Sequence, residues 1–260
     1  MKITATIITF NEAENIRAAC ESVGWADEIL VVDSESTDAT REIAAECGAR
    51  IIVNPWPGFS AQKQFAVDSA AHDWIFSLDA DERVSSELEQ SILLLRSKDE
   101  PALARGYRVA RRAFYMGRWI RGGGWYPDFQ LRFFNRTWGR WRERLIHESV
   151  SMNEGARVSI LSGDLLHYSM RDPDHHRQMI EERYAPLGAR QMLREGKRTS
   201  TLRAAVAGPA AFLRSFLLKG GFRDGRAGLM IANLAWLHAS LKHTILSDLQ
   251  KLKETEGTQD

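Results

Sequence analysis

Residues 74–82 read WIFSLDADE, a short apolar run that ends in acidic side chains. Outward from this stretch, toward the N-terminus, short β-branched runs alternate with segments of helical periodicity. The alternation predicts strands at 3–10, 28–33, 50–54 and 74–78, and helices at 11–23, 37–47 and 60–71. Strands and helices that alternate in this way form a parallel sheet with right-handed crossovers, so the sequence predicts an α/β fold.

Polar residues follow several predicted strands at the point where each strand ends. They are Thr9, Asn11 and Glu12 after the first strand, Asp33 at the end of the second, and Asp79 and Asp81 after the fourth. Ligands of parallel α/β sheets bind outside the carboxyl ends of the strands. We therefore expect these side chains to line one ligand site.

The pair Asp79 and Asp81 is the strongest local indication of chemistry. Two carboxylates one residue apart can share a hard cation, and Mg²⁺ or Mn²⁺ bridging a diphosphate takes only one or two protein carboxylates. Such a cation would neutralise a departing nucleotide diphosphate. The alternative is that Asp81 and Glu82 cap a helix predicted at 85–96, since acids are common at helix starts.

Composition limits the kind of protein this can be. The chain has 260 residues, of which 44% are hydrophobic, and its formal net charge is +1. It therefore lacks the strong positive field of a dedicated nucleic-acid-binding protein, and we expect no nucleic-acid partner. Cys20 and Cys47 have neither zinc nor redox spacing, so we expect free thiols, buried or half-buried, as in a reducing cytoplasm.

Two further patterns describe the organisation of the chain. The N-terminus enters a strand pattern without the regions of a signal peptide, and no run reaches the roughly 18 apolar residues of a spanning helix. We therefore expect a cytoplasmic location. The pattern is less regular over 83–170, with a glycine run at 122–124, and is helical from 172 onward. This indicates two parts, 1–170 and a helical extension at 171–260.

Several motifs together resemble a known family. IITFNEAENI at 7–16, VVDSESTDAT at 31–40 and LDADE at 78–82 occur in an order and spacing similar to those of the family 2 inverting glycosyltransferases. GWYPDFQLRFF at 124–134 and the pair His147-Glu148 resemble the lipopolysaccharide core β-glucosyltransferase subgroup. The resemblance covers most of the chain. It implies a GT-A (Rossmann-like) mostly parallel sheet flanked by helices, with a C-terminal helical extension and an acceptor part at about 105–170 of the catalytic domain.

The resemblance also implies roles for the residues at the strand ends. It assigns the nucleotide pocket to Thr9, Asn11, Glu12 and Asp33, with Asp79 near the ribose, Asp81 on the metal ion and Lys63 near the nucleotide. For Lys63, a solvated helix face is an equal alternative. The implied cofactor is Mg²⁺ or Mn²⁺.

Inverting transfer requires a carboxylate that takes the proton from the acceptor hydroxyl. Glu148 and Asp128 are the two candidates. The resemblance favours Glu148, in which case Asp128 would contact the acceptor or the donor sugar. His147 could complete the metal shell, bind a phosphate oxygen or be a core histidine, and these alternatives stay open.

The segment around Asp128 predicts contacts with acceptor and phosphate. Alternation over 130–134 places Gln130 and Arg132 on one face of a strand, and Arg132 could pair bidentately with a phosphate or a carboxylate. Trp125 beside the glycine run is the tryptophan expected to stack on a sugar. Processive family members carry a Gln-x-x-Arg-Trp motif, whereas this chain has Gln-x-Arg-Phe, which favours a single addition.

Residues 200–247 combine apolar stretches with arginine and lysine. A basic amphipathic segment of this kind can lie in the headgroup layer of an anionic membrane. We expect peripheral contact with the inner face of the cytoplasmic membrane, which suits a lipid-anchored acceptor. The alternative is that these helices pack on the catalytic domain or on a second subunit.

The sequence thus predicts an inverting, metal-dependent hexosyltransferase. Its expected donor is a nucleotide-diphosphate sugar such as UDP-glucose, and its expected acceptor is a lipid-linked saccharide such as the lipopolysaccharide inner core. A sugar nucleotidyltransferase is one alternative, although the glycine-rich loop that such enzymes carry after the first strand is missing at residues 9–12. A non-catalytic sugar- or lipid-binding protein is the other. The oligomeric state is left open.

Overall fold

A computed structural model describes residues 1–98, 102–142, 149–168 and 172–256. The chain forms two compact units, the first comprising Met1–Arg112 and Asp128–Ser169, and the second Ala113–Pro127 and Met170–Asp260. The division differs from the one drawn at residue 170 because 113–127 belong with the C-terminal helices.

Strands and helices occur in the following order along the described chain. The strands are β1 (Ile3–Thr9), β2 (Glu28–Asp33), β3 (Arg50–Val53), β4 (Trp74–Asp79), β5 (Glu82–Val84), β6 (Gly106–Tyr115), β7 (Arg118–Trp119), β8 (Asp128–Asn135), β9 (Gly139–Arg142), β10 (Ser149–Met152) and β11 (Val158–His167). The helices are α1 (Ile16–Ser22), α2 (Thr40–Glu46), α3 (Phe59–Ser69), α4 (Ser86–Arg96), α5 (Pro173–Met179), α6 (Ala185–Arg194), α7 (Thr201–Leu213) and α8 (Gly225–Glu256).

The main sheet of the first unit is mixed. Its strand order is β3-β2-β1-β4-β8-β6-β11-β5. The first four strands of this order are parallel, as the strand–helix alternation predicts, whereas β4 pairs with β8 antiparallel, as do β8 with β6 and β11 with β5. The parallel part of the sheet ends with β4, the last strand before the sequence stops alternating between strand and helix patterns.

Core residues cover both faces of the parallel strands. Ile7 and Val31 belong to one buried cluster, and Ile8 and Val32 belong to the other. Neighbouring side chains of a strand point to opposite faces, so apolar residues at consecutive positions require a covered sheet. All seven residues of β1 are buried.

The register of the parallel strands brings their carboxyl ends together. Thr9 of β1 is paired with Asp33 of β2, and Ile8 is paired with Asp79 of β4. The polar residues that follow these strands therefore meet at one edge of the sheet, as expected.

The helices after β1 and β2 begin later than predicted. Residues 11–15 form a turn before α1 instead of its first turn, and α2 begins at Thr40 rather than residue 37. The reason is local: the backbone N–H groups of Glu12 and Ala13 donate to the side chains of Thr40 and Asp38, at 2.8 and 3.2 Å. These cross-loop hydrogen bonds replace helical ones.

The two cysteines are free, as expected, with Cys20 buried and Cys47 half-buried. Burial raises the pKa of Cys20 to about 12, so its thiol stays protonated at neutral pH.

The second unit is built around α8. Tyr115, Ile120, Ile180 and Ile231 form its buried core. Two π-helical turns, Ile180–Tyr184 and Arg214–Leu218, adjoin α6 and α7, and a short 3₁₀ helix, Gly221–Asp224, leads into α8.

Among the described residues, no helix has the length and apolar character needed to cross a membrane.

The glycine run at 122–124 is a point of close backbone approach inside the second unit. A Cβ on Gly122 would lie 2.3 Å from the carbonyl oxygen of Gly220. The buried carboxylate of Asp224 accepts the backbone N–H of Arg121 at 3.1 Å and of Gly122 at 2.7 Å. These contacts hold 113–127 on the C-terminal helices.

Candidate active site

Asp33 organises the loop that follows β2. Its fully buried carboxylate accepts the backbone N–H of Ser36 at 2.9 Å and the Ser36 hydroxyl at 2.5 Å. The Ser36 hydroxyl accepts in turn the backbone N–H of Asn11 at 2.8 Å. Asn11 has a left-handed backbone with φ of 52°, and its side-chain oxygen accepts the Thr37 N–H at 2.8 Å. Asn11 and Asp33 thus join the loops after β1 and β2, while nucleotide contact stays a prediction for both.

Thr9 carries a buried polar atom that the protein does not satisfy. Its Oγ1 has no hydrogen-bond partner within the described residues. Buried hydroxyls are nearly always hydrogen-bonded. Since Thr9 is paired with Asp33 at the edge of the sheet, this atom is a natural partner for a bound ligand.

Lys63 lies inside the protein, and its side chain is 2% exposed. Its ammonium lies 2.9 and 3.1 Å from the two carboxylate oxygens of Asp79 and 4.9 Å from the centre of the Trp141 ring. The alternative of a solvated helix face for Lys63 is therefore wrong. Whether Lys63 also contacts a nucleotide stays a prediction.

Asp79 pairs with two cations, Lys63 and Arg132. Arg132 Nη2 donates to Asp79 Oδ2 at 3.0 Å, the oxygen that Lys63 also contacts. Burial alone raises the pKa of Asp79, but the charges of Lys63 and Arg132 outweigh burial and hold the pKa well below its ordinary value. The carboxylate is therefore ionised throughout the physiological pH range.

Glu82 connects this group to a second one. Its fully buried carboxylate accepts the Asp79 backbone N–H at 3.0 Å and Arg132 Nη2 at 2.7 Å, and lies 3.5 Å from Arg111 Nη1. Glu82 does not cap the following helix, because α4 begins after Ser85, whose hydroxyl accepts the Leu88 N–H at 3.3 Å. The capping alternative for this acidic run is thus replaced by a buried charge network.

Asp128 ends the network. Arg111 donates to Asp128 Oδ2 from Nε at 3.0 Å and from Nη2 at 2.7 Å, and Gln130 donates to Oδ1 at 2.7 Å. We call the alternating row Lys63, Asp79, Arg132, Glu82, Arg111 and Asp128 the charge ladder. It fixes the side chains of Gln130 and Arg132 on β8, where the alternation pattern predicts them on one face.

Asp81 lies beside a histidine that the sequence reasoning missed. His167 ends β11, and its Nε2 lies 3.4 Å from Asp81 Oδ2. No group of three His, Cys, Asp or Glu side chains arranged to hold a metal occurs within the described ranges. A carboxylate and an imidazole at this distance could hold a cation that takes few protein ligands and completes its shell with a diphosphate and water. The nitrogen ligand favours Mn²⁺ over Mg²⁺, which prefers oxygen.

The sequence held one signal for His167. It closes a strand-like run in GDLLHYS at 163–169, much as Asp79 closes β4. This run has no helix before it, so the strand–helix alternation that identified the other strand ends does not extend to it.

Trp125 belongs to an aromatic cluster of the second unit. Its ring centre lies 5.4 Å from that of Tyr115 and 5.3 Å from that of His176. Burial lowers the pKa of His176 to about 4, so the imidazole is neutral at physiological pH. Sugar stacking by Trp125 stays a prediction, and its ring already packs on protein.

His147 and Glu148 lie outside the described residues. The choice of Glu148 over Asp128 as the base therefore stays a prediction.

The chain is similar in sequence to known glycosyltransferases. Residues 4–165 match the family model described as glycosyl transferase family 2. The lipopolysaccharide core biosynthesis glycosyltransferase LpsC of Rhizobium meliloti (strain 1021) is 31% identical over 268 residues, which cover 100% of this chain and 97% of LpsC. An uncharacterised glycosyltransferase, RP128 of Rickettsia prowazekii (strain Madrid E), is 29% identical over 269 residues, 100% of this chain and 91% of the relative.

Among solved structures, S. aureus TarS 1–349 is similar with a TM-score of 0.48 and 13% identity, covering 96% of this chain and 92% of that one. The match of the family model over 4–165 and the full-length similarity to LpsC together identify the family. This chain belongs to glycosyl transferase family 2.

Proposed function

We propose that this glycosyltransferase moves a hexose from a nucleotide-diphosphate sugar, expected to be UDP-glucose, to a lipid-anchored glycan such as the lipopolysaccharide inner core. The observation that carries the proposal is the strand-end edge, where Asp81 and His167 lie 3.4 Å apart beside the carboxyl ends of β1, β2 and β4. The acceptor class is supported by the full-length similarity to a protein named for lipopolysaccharide core biosynthesis.

Donor binding would use the residues at the ends of β1 and β2. The unsatisfied hydroxyl of Thr9 and the loops joined by Asn11 and Asp33 support a nucleoside pocket at this edge. Glu12 stands in the same loop and is proposed for the same pocket. Asp79, kept ionised by Lys63 and Arg132, would accept a ribose hydroxyl.

A divalent cation, Mn²⁺ or Mg²⁺, would be held by Asp81 and His167 and would neutralise the charge that develops on the departing diphosphate. The proposed transfer is a single inverting displacement, in which a carboxylate removes the proton of the acceptor hydroxyl as that oxygen attacks the anomeric carbon. Glu148 is the proposed base. Asp128 is the weaker candidate, since three hydrogen bonds from Arg111 and Gln130 already occupy its oxygens.

The proposal is tested by turnover with a panel of nucleotide sugars. The full chain is incubated with UDP-glucose, UDP-galactose, dTDP-glucose and GDP-mannose, with Mn²⁺ or Mg²⁺, and release of the nucleoside diphosphate is measured with and without a lipopolysaccharide-core acceptor. We expect UDP-glucose with Mn²⁺ to give the fastest release, accelerated by the acceptor. Failure of every donor would sink the catalytic proposal and favour a binding protein.

The base is tested in the same assay with matched amide variants. Glu148→Gln should abolish acceptor-dependent release while donor binding persists, and Asp128→Asn should retain measurable turnover. The opposite pattern would transfer the role of base to Asp128.

A further inference from the structure

An apolar stripe runs along the outer face of α7. We define the α7 stripe as Leu202, Val206, Pro209 and Leu213 of α7 together with Leu217 of the π-helical turn that follows, all of which are exposed. The four residues of α7 are spaced by three or four positions, which places them on one side of the helix. Leu202 is 73% exposed and Leu217 is 54% exposed. Single exposed leucines are ordinary, but a continuous apolar row marks an interaction surface.

The stripe lies on the side of α7 that does not pack on α8. The packed side is identified by Gly208, where a Cβ would come within 2.2 Å of Ser240 Oγ and 2.3 Å of Trp236 Cδ1. The ring of Phe212 lies 6.2 Å from that of Trp236 on the same packed side. The side chains of the α7 stripe are therefore not needed for the packing of α7 on α8.

Two more apolar side chains extend the stripe beyond its last residue. Leu218 is 83% exposed and Phe222 is 51% exposed. Both flank the turn at Lys219, so large apolar groups are concentrated at this end of α7.

The exposed charged side chains of residues 196–247 are of one sign. Five exposed cations accompany it, namely Arg203, Arg214, Lys219, Arg223 and Arg226. Between residues 196 and 247 the sequence contains a single acidic residue, Asp224. Its side chain is buried, and its carboxylate accepts the backbone N–H groups of Arg121 and Gly122. No carboxylate of this segment therefore offsets the exposed cations.

We propose that the α7 stripe, with Leu218 and Phe222, docks on an anionic lipid bilayer. Apolar side chains of such a helix enter the boundary between headgroups and acyl chains, while arginine and lysine remain at the lipid phosphates. Pairing of two copies through this face would bring like charges together, which disfavours a dimer there. A membrane surface would bring the enzyme to the lipid-anchored acceptor of the proposed function, on which this inference rests. Binding to the membrane can nevertheless be measured without any sugar transfer.

The test is flotation of the full chain with vesicles. Phosphatidylethanolamine vesicles containing phosphatidylglycerol should bind the protein, and vesicles of phosphatidylcholine alone should bind it far more weakly. Leu217→Gln/Leu218→Gln should weaken binding by about tenfold or more. Lys219→Gln/Arg223→Gln should weaken it by about fivefold for each charge and reduce its sensitivity to salt.

Matched controls come from the first unit. Leu94→Gln changes a leucine that is 66% exposed on α4, and Lys98→Gln removes an exposed lysine; both should bind as wild type. Circular dichroism verifies that each variant is folded. Wild-type binding by the double leucine variant, equal binding to both kinds of vesicle, or a wild-type dimer that this variant dissociates in light scattering would each overturn the proposal.

Nucleotide release from the same panel of donors in solution separates this inference from the proposed function. Vesicle binding without nucleotide release refutes the proposed function alone. Nucleotide release without vesicle binding refutes the docking surface alone.

Discussion

Glu82 is a fully buried carboxylate whose two oxygens each have a defined partner. One oxygen accepts the backbone N–H of Asp79, and the other accepts Arg132 and lies near Arg111. A buried ion is tolerated only when charges and hydrogen bonds compensate for its lost hydration. Glu82 therefore sets the positions of Asp79 and Arg132, and through Arg111 that of Asp128, without any need to touch a substrate.

Glu82→Gln should be costly because the amide nitrogen must face either a backbone N–H or a guanidinium. We expect the free energy of unfolding, measured in urea, to fall by about 3 kcal/mol. Glu46→Gln is the matched control, since Glu46 pairs with Arg17 on the surface and that pair should contribute little. Equal unfolding midpoints for the two variants would show that Glu82 does not organise the charge ladder.

Asp79 leads to a prediction about pH. Its pKa is lower in the folded protein than in the unfolded chain, so the stability that it contributes is complete above its ordinary pKa of 3.8 and is lost as the pH falls below that value. The difference in unfolding free energy between wild type and Asp79→Asn should thus be constant from about pH 8 to 5 and shrink below about pH 4. Urea melts across this range provide the measurement. A difference that already declines between pH 7 and 5 would contradict the lowered pKa.

We predict that replacing Asp81 reduces turnover strongly, whereas replacing His167 mainly weakens the affinity for the metal ion. Asp81→Asn should reduce turnover by at least about a hundredfold, because the anionic ligand is lost. His167→Gln should weaken Mn²⁺ affinity by about 10- to 100-fold and be rescued by excess Mn²⁺. His72→Gln, elsewhere in the first unit, serves as the control. If titration with Mn²⁺ gives the same half-saturation for His167→Gln and wild type, the imidazole is not a ligand.

At the scale of elements, the parallel half of the sheet was predictable and the antiparallel half was not. Strands β1 to β4 are apolar runs separated by single helices, and each prediction there is within a few residues. Strand β6 carries Arg111, which is half-buried, and strand β8 carries Arg132, which is buried. The carboxylates of Asp79, Glu82 and Asp128 compensate these charges, and sequence periodicity does not report such pairs.

Gly228 lies near the start of α8. For its replacement by alanine we predict a change in stability opposite to the one that helix propensity alone would give. Glycine to alanine inside a helix ordinarily stabilises a protein by about 1 kcal/mol. Here a Cβ would lie 1.8 Å from the carbonyl oxygen of Gly221, so Gly228→Ala should lower the unfolding free energy by about 2 kcal/mol or more. Gly24→Ala, whose Cβ would meet Glu21 at an ordinary 3.4 Å, is the control. Thermal melts compare the two, and a stabilised Gly228→Ala would refute the close approach.

At the scale of the whole molecule, the sequence predicted which strand ends meet at one edge but not every side chain that lies there. Asp33, Asp79 and Asp81 were identifiable because each closes or follows an apolar strand. His167 was not, because Asp81 is more than 80 residues away along the chain and the pairing of β11 with β5 brings the two together. The assignment of 113–127 to the helical unit likewise depends on Asp224, a partner about a hundred residues along the chain.

If the donor and the metal ion bind at one site, each should strengthen the binding of the other, and this coupling should appear in the melting temperature of the full chain. A ligand at about 100 times its dissociation constant stabilises the folded state by about 2.7 kcal/mol, which corresponds to a rise of roughly 5–10 °C in the melting midpoint of a unit of this size. If Asp81 and His167 share the cation with the diphosphate, UDP-glucose and Mn²⁺ together should raise the midpoint by more than the sum of their separate effects, as coupled binding requires. Asp81→Asn should abolish the excess while leaving the melting of the protein alone unchanged within a few degrees. Additive shifts in the wild type, measured by scanning calorimetry, would mean that metal and nucleotide do not meet in one site.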